Sequence, residues 1–277
     1  MRQACHCPSH PGKTSTDADL HAMNRSFSPQ LLASRGPTLV GAPTVLILAG
    51  GLGTRLRSVV SDRPKVLAPV SGRPFLSYWL EALALQGFRN VMLCTGHLSD
   101  QVEACFGRTW GTLSLSYSPE ASPLGTGGAL RNAISLVSSP EVMVLNGDSY
   151  CEVDLANFWS ERASRKAAAS MVLHYASDSR RFGRVTMSAE GRLENFLEKS
   201  DLARPGWINA GVYLFPRGWI ESIPESMPLS LERDLLPGWL MNGIHGYPSV
   251  GRFIDIGLPE TLAQAEDFFA ASRQVAA

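Results

Sequence analysis

A glycine loop, two basic residues and two aspartates carry the chemistry that this sequence can do. The loop, Gly50-Gly51-Leu52-Gly53-Thr54-Arg55, follows an apolar run, and Lys65 comes after a short segment. Backbone N–H groups bared by glycines, with an arginine and a lysine behind them, can cradle a polyphosphate. Amides bind oxygens, the guanidinium forks two of them, and the ammonium adds a point charge. A solvated strand-to-helix turn with incidental basic residues would use the same letters. Two common phosphate loops are excluded. A Walker loop ends Gly-Lys-Ser/Thr, whereas this one runs Gly53-Thr54-Arg55. The dinucleotide fingerprint needs a small residue where Leu56 stands, and an acidic residue about 20 positions on, which is missing.

Asp148 closes Asn146-Gly147-Asp148, directly after the apolar stretch Val142–Leu145. At the C-terminal end of a buried strand, where ligands bind in open α/β sheets, an aspartate can hold a divalent cation that bridges phosphate oxygens. Capping of the next turn is the plainer use. Asp255 is flanked by Phe253, Ile254 and Ile256. A carboxylate among apolar neighbours needs a partner, a metal or a cation would serve, and read alone a salt bridge is the favoured use. His97, His174 and His245 show no triad or metal spacing and suit core or surface positions.

The elements that must position these groups alternate. Thr44–Ala49 reads as a strand buried on both faces, followed by a helix over Pro74–Gly87, a strand over Asn90–Thr95 and a short helix over Ser99–Phe106. Leu113–Tyr117 is the next strand, Thr126–Val137 a helix and Val142–Leu145 another buried strand. This rhythm predicts βαβ units around a mostly parallel sheet. After Asp148, Ala169–Tyr175, Gly183–Ser188 and Trp207–Phe215 read as strands with fewer helices between them, a mixed or antiparallel extension forming the second wall of a cleft. Helices are expected over Ser230–Leu240, with Ser230 as N-cap, and from Pro259 to about Ala271.

Composition sets the limits. With 25 basic and 25 acidic residues in 277, the balanced charge argues against a nucleic-acid binder or an anionic-membrane binder, and no apolar run is long enough to span a bilayer. Five scattered cysteines do not make a disulfide scaffold; Cys94 and Cys105 sit in apolar contexts as buried thiols of a reduced, cytoplasmic protein. Residues 1–43 read as a disordered extension without a signal peptide's apolar region, and residues 44–277 as the folded domain. Cys5-His6-Cys7 with His10 matches no common zinc spacing and reads as an accidental cluster.

Leu48-Ala-Gly-Gly-Leu-Gly-Thr-Arg-Leu56 with Pro64-Lys65 resembles the signature of sugar-1-phosphate nucleotidylyltransferases. The resemblance continues in order through Leu124-Gly-Thr-Gly-Gly-Ala129, Leu145-Asn-Gly-Asp148, Glu198-Lys199, Asn209-Ala-Gly-Val-Tyr213 and Phe253-Ile-Asp-Ile-Gly257, spanning residues 44 to about 270. Arg55–Asp62 and Phe253–Glu260 bring it nearest to the heptose-1-phosphate guanylyltransferase branch. Val66 departs from the proline that many relatives carry after the lysine.

The resemblance implies a Rossmann-like α/β sheet, with a nucleoside triphosphate and a sugar 1-phosphate as substrates and Mg²⁺ held by Asp148 and Asp255. It implies nucleotide contacts from Ala49, Gly50, Gly51, Gly53, Thr54, Gly96, Gly125 and Thr126, with Arg55, Lys65 and Asp148 catalytic. Gly147, Glu198, Lys199, Asn209 and Gly211 would form the sugar-phosphate side. A homodimer, another base or sugar (mannose- or glucose-1-phosphate), and a non-catalytic nucleotide-sugar sensor stay open at this point.

Overall fold

Val45, Leu46 and Ile47 are wholly shielded from solvent, as a strand covered on both faces requires. They belong to β1 (Thr44–Leu48), the strand from which the glycine loop springs. A computed structural model describes residues 38–275 apart from Leu52, Arg57, Lys166, residues 198–203 and Ser226. After β1 come a small hairpin, β2 (Pro69–Val70) and β3 (Arg73–Pro74), then α1 (Leu76–Leu85), β4 (Asn90–Thr95) and α2 (Ser99–Phe106). β5 (Thr109–Trp110), β6 (Leu113–Pro119), α3 (Gly125–Ile134), β7 (Glu141–Asn146), β8 (Ser149–Cys151), α4 (Leu155–Arg165) and β9 (Ala169–Ala176) follow. The chain ends through β10 (Arg184–Met187), β11 (Leu193–Leu197), β12 (Gly206–Pro216), α5 (Arg217–Glu221), α6 (Leu236–Trp239), β13 (Ile244–Ser249), β14 (Phe253–Asp255) and α7 (Pro259–Val275).

The main sheet has the order β11-β10-β12-β7-β1-β4-β6-β5, with β9 on the other edge of β12 and β13 beyond it. β7, β1, β4 and β6 are parallel, whereas β12 runs antiparallel to β7, β9 and β10. The expected parallel half and mixed extension are therefore both present. Alternation along β1 divides the core: Val45 and Ile47 face a layer containing Leu76, Leu80 and Phe158, while Leu46 faces one containing Leu130, Ile134 and Phe215.

Three features differ from the sequence reading. Pro74 does not open α1 but pairs with Pro69 in the β2–β3 hairpin, so the helix starts two residues later. Ser230 does act as a cap, its Oγ accepting the Arg233 N–H at 3.1 Å, yet the turn it opens is π-helical over Leu231–Leu235 before α6 begins. Pro237 has no N–H to continue an α-helical ladder at that point. The packed chain also begins ahead of Thr44, because Leu39 and Ala42 lie against the core and the Leu39 N–H donates to the Gly87 carbonyl. α4 and β13 were not anticipated. Asp154 caps α4 by accepting the Asn157 N–H at 2.8 Å, a signal legible in Asp154-Leu-Ala-Asn157.

Cys94, Cys105 and Cys151 are buried. Burial pushes the first two thiols up to about 12 and Cys151 up to about 11. Raised pKa values keep the thiols protonated, leaving roughly one in a thousand or fewer as thiolate at pH 8. Iodoacetamide at that pH, read by mass spectrometry, is therefore expected to leave these three unmodified in the native protein and to label them after denaturation.

Candidate active site

The glycine loop leaves the C-terminal end of β1 and is held against the neighbouring strand end. The Ala49 N–H donates to the Cys94 carbonyl at 2.8 Å. Beyond it, Gly50 and Gly96 meet backbone to backbone: a Cβ on Gly96 would stand 2.7 Å from the Gly50 oxygen, and one on Gly50 would stand 2.7 Å from Glu120 Oε1. At Gly96 the obstruction is backbone, so that glycine sets how closely the loop approaches β4, whereas at Gly50 it is the end of the Glu120 side chain. Thr54–Leu56 then form a 3₁₀ turn on which Thr54 and Arg55 are exposed and Leu56 is buried. Arg55 has no acidic partner among the described residues.

A cleft of about 330 Å³ opens beside this loop. Ala49, Gly50, Gly51, Lys65, Gly125, Thr126 and Asp148 line it, as do Glu120, Asn146 and Glu232, which the sequence reading did not single out. Gly53 lines an adjoining cavity of about 380 Å³ with Gly51, Arg63, Lys65 and His97. Lys65, on a 3₁₀ turn, joins the two spaces and donates from Nζ to Asp148 Oδ2 at 2.8 Å.

Asp148 lies between β7 and β8, where the Gly147 N–H donates to the Leu48 carbonyl at 2.9 Å. β8 pairs with β14, and the Ile256 N–H donates to the Asp148 carbonyl at 2.9 Å, bringing Asp255 beside Asp148. Trp79 pins this ribbon by donating from Nε1 to the Ser149 carbonyl at 2.6 Å. Asp255 Oδ1 accepts the Gly257 N–H at 2.9 Å and meets Arg181 at 3.4 Å. The salt bridge that Asp255 suggested in isolation is thus present. Burial, then the negative charge of Asp148, nevertheless pushes the Asp255 carboxyl above its ordinary range, while Lys65 and Arg181 pull the other way. Two hard oxygen donors that repel one another fit a divalent cation.

Cβ atoms on Gly125, Gly127 and Gly128, at the start of α3, would meet the Leu229 or Met227 carbonyls at 2.6 Å, 3.1 Å and 2.6 Å, so these glycines let the protein's own 227–229 segment pack against the helix. Gly125 and Thr126 still line the cleft. Asn209 and Gly211 sit at the irregularity in β12, with Gly211 at φ +72° and its N–H donating to Asn209 Oδ1 at 2.9 Å. Glu198 and Lys199 lie outside the described residues.

Glu120 follows the C-terminal end of β6, a position where strand-end logic could have found it. Its Oε2 accepts the Leu124 N–H at 2.7 Å, and burial raises its pKa. Among the described residues it has no basic partner.

The model of the nucleotidyl transferase family matches residues 44–271. The chain belongs to that family. It is 37% identical over 222 residues to D-glycero-alpha-D-manno-heptose 1-phosphate guanylyltransferase of Aneurinibacillus thermoaerophilus, covering 80% of this chain and 96% of that protein. It is 36% identical to mannose-1-phosphate guanylyltransferase of Mycobacterium tuberculosis, across 78% of this chain and 61% of that one. Among solved structures, HddC from Yersinia pseudotuberculosis complexed with GMP-PN superposes with a TM-score of 0.73 at 32% identity, over 82% of this chain and 100% of that one. This nucleotidyl transferase therefore has the nucleotide-diphospho-sugar transferase fold that its motifs implied. None of its described helices is long and apolar enough to cross a membrane.

Gly96→Ala forces the Gly50 backbone away from β4. The expected result is a loss of about 10- to 100-fold in nucleoside triphosphate affinity, measured by titration calorimetry, with the circular dichroism spectrum unchanged.

Proposed function

We propose that this nucleotidyl transferase moves GMP from GTP onto a sugar 1-phosphate, D-glycero-α-D-manno-heptose 1-phosphate, releasing pyrophosphate. The GDP-heptose would serve surface polysaccharide synthesis from the cytoplasm. The observation that carries the choice of base is the half-buried Glu120 carboxylate, which has no basic partner among the described residues, in the cleft beside the glycine loop. Guanine offers two adjacent N–H donors on its Watson–Crick edge; adenine, cytosine and uracil each place an acceptor there. An acceptor-only carboxylate suits the first and repels the others. The names of the guanylyltransferase relatives favour the same base, and the relative covered nearly end to end favours the heptose.

The attacking atom is a phosphate oxygen of the sugar 1-phosphate, already anionic, so no general base is required. It bonds to the α-phosphorus of GTP as the bond to the β-phosphate oxygen breaks, and pyrophosphate leaves with that electron pair. Repulsion between the two anions is the main barrier, which makes charge neutralisation and alignment the protein's work. In this reading Arg55 and the glycine-loop amides beyond Ala49 hold the β- and γ-phosphates. Lys65 keeps one ammonium hydrogen on Asp148 and turns the other two toward the α-phosphate. Lys199 seats the sugar phosphate, while Glu198 and the Asn209–Gly211 strand bound the sugar. Asp148 and Asp255 would hold Mg²⁺, which when bound neutralises phosphate charge.

The decisive experiment is pyrophosphate release across the four nucleoside triphosphates and a panel of sugar 1-phosphates. Turnover is expected with GTP and the heptose; another preferred pair would overturn the substrate assignment, and nucleotide binding without turnover would overturn the reaction. Glu120→Gln is expected to lower kcat/KM for GTP by about 10- to 100-fold while leaving the KM for the sugar phosphate in place. Asp148→Ala is expected to abolish turnover, and near-normal rates from the folded variant would remove Asp148 from the mechanism.

A further inference from the structure

The Tyr213 hydroxyl is buried where four elements converge on the cleft. It accepts from Asn209 Nδ2 at 2.6 Å on its own strand, and the Asn146 side chain lies near it at the end of β7, two residues before Asp148. Its own hydrogen goes to Glu232 Oε1 at 3.2 Å. The other Glu232 oxygen accepts the Thr126 hydroxyl at 2.9 Å, and Thr126 Oγ1 in turn accepts the Leu231 N–H at 2.7 Å. At the far end of the chain of bonds, the Asn209 amide oxygen is taken by the Gly211 N–H. Each partner is chemically specified. A carboxylate can accept two hydroxyl hydrogens at once; an amide in its place offers one acceptor and one donor. With both Glu232 oxygens and both ends of the Asn209 amide engaged, neither side chain can turn without breaking a part-buried bond.

From this connectivity we infer that Glu232 and Tyr213 are positioning residues, which fix the α3 N-terminus and the Asn209–Gly211 stretch of β12 relative to one another. The assignment rests on the proposed reaction, in which the first borders the nucleotide and the second the sugar phosphate. The π turn carrying Glu232 is itself anchored to α3, since the Gly127 N–H donates to the Leu229 carbonyl at 2.7 Å. The nucleotide wall thus keeps its shape when the relay is cut at Tyr213, while the acceptor wall loses its reference to it. The two substrates then bind but no longer align for in-line attack.

The test compares Tyr213→Phe, Glu232→Gln and the double variant with the unsubstituted enzyme, by steady-state kinetics, calorimetric GTP binding with a non-hydrolysable analogue, and thermal melting. Tyr213→Phe is expected to lower kcat/KM for the sugar 1-phosphate about tenfold, with nucleotide affinity within about twofold of wild type. The double variant should be little worse than the more damaged single one, because both cut one relay. Independent, multiplying losses would overturn the assignment, as would a lower melting temperature with unchanged kinetics, or an equal loss of affinity for both substrates. Absence of turnover by the unsubstituted enzyme with every substrate pair would instead refute the proposed reaction. Turnover with a different base or sugar leaves the comparison valid for that pair.

Discussion

Two carboxylates that repel each other stand side by side, and much of the surrounding structure exists to keep them there. Asp148 comes from the middle of the folded region and Asp255 from near its end, and they meet because β8 and β14 form a separate two-stranded ribbon. That ribbon is tied to the main body by the Trp79 indole and by the Gly147 N–H on β1. Lys65 and Arg181 supply positive charge on either side, yet Asp255 still holds its proton more tightly than a free carboxylate. Such an arrangement costs stability in an empty site and is tolerable where a cation or a substrate completes it.

The sheet explains why this spot is available. β7, β1, β4 and β6 run parallel, so their C-terminal ends and the loops leaving them share one edge. The glycine loop leaves β1, Gly96 follows β4, Glu120 follows β6 and Asp148 follows β7. In the proposed reaction, the groups for phosphate, base and cation thus all come from neighbouring strand ends. The antiparallel strands β12, β9 and β10 then extend the floor beyond β7, bringing Asn209 and Gly211 opposite.

Much of this was legible in the residues. The apolar run of β1, its glycine punctuation and the Asn-Gly-Asp ending of β7 each follow from local physics: a strand buried twice is apolar throughout, and close backbone approach excludes side chains. Ser230 was readable as a cap because its hydroxyl competes for a free N–H wherever a helix starts. Glu120, Glu232 and Arg181 were not. An acidic or basic residue near a strand end or turn looks like solvated surface until the fold shows what stands opposite it. Only the folded chain reveals that residues 227–229 pack against the glycines of α3.

The division has a physical cause. Residue type and short-range spacing determine backbone conformation, burial on one or both faces of an element, and the chemistry each side chain can offer. These sufficed for the α/β alternation and for reading the glycine loop as a candidate phosphate cradle, whereas pairing Asp148 with Asp255 came from the resemblance to the family. Tertiary structure alone decided which groups meet, because hydrogen bonds and charge coupling depend on distances between residues far apart in the chain. Thr126 and Glu232 are separated by 105 intervening residues and share a bond of 2.9 Å. Lys65 reaches Asp148, and Asp148 raises the pKa of Asp255, only because three strand ends and a ribbon converge on one cleft.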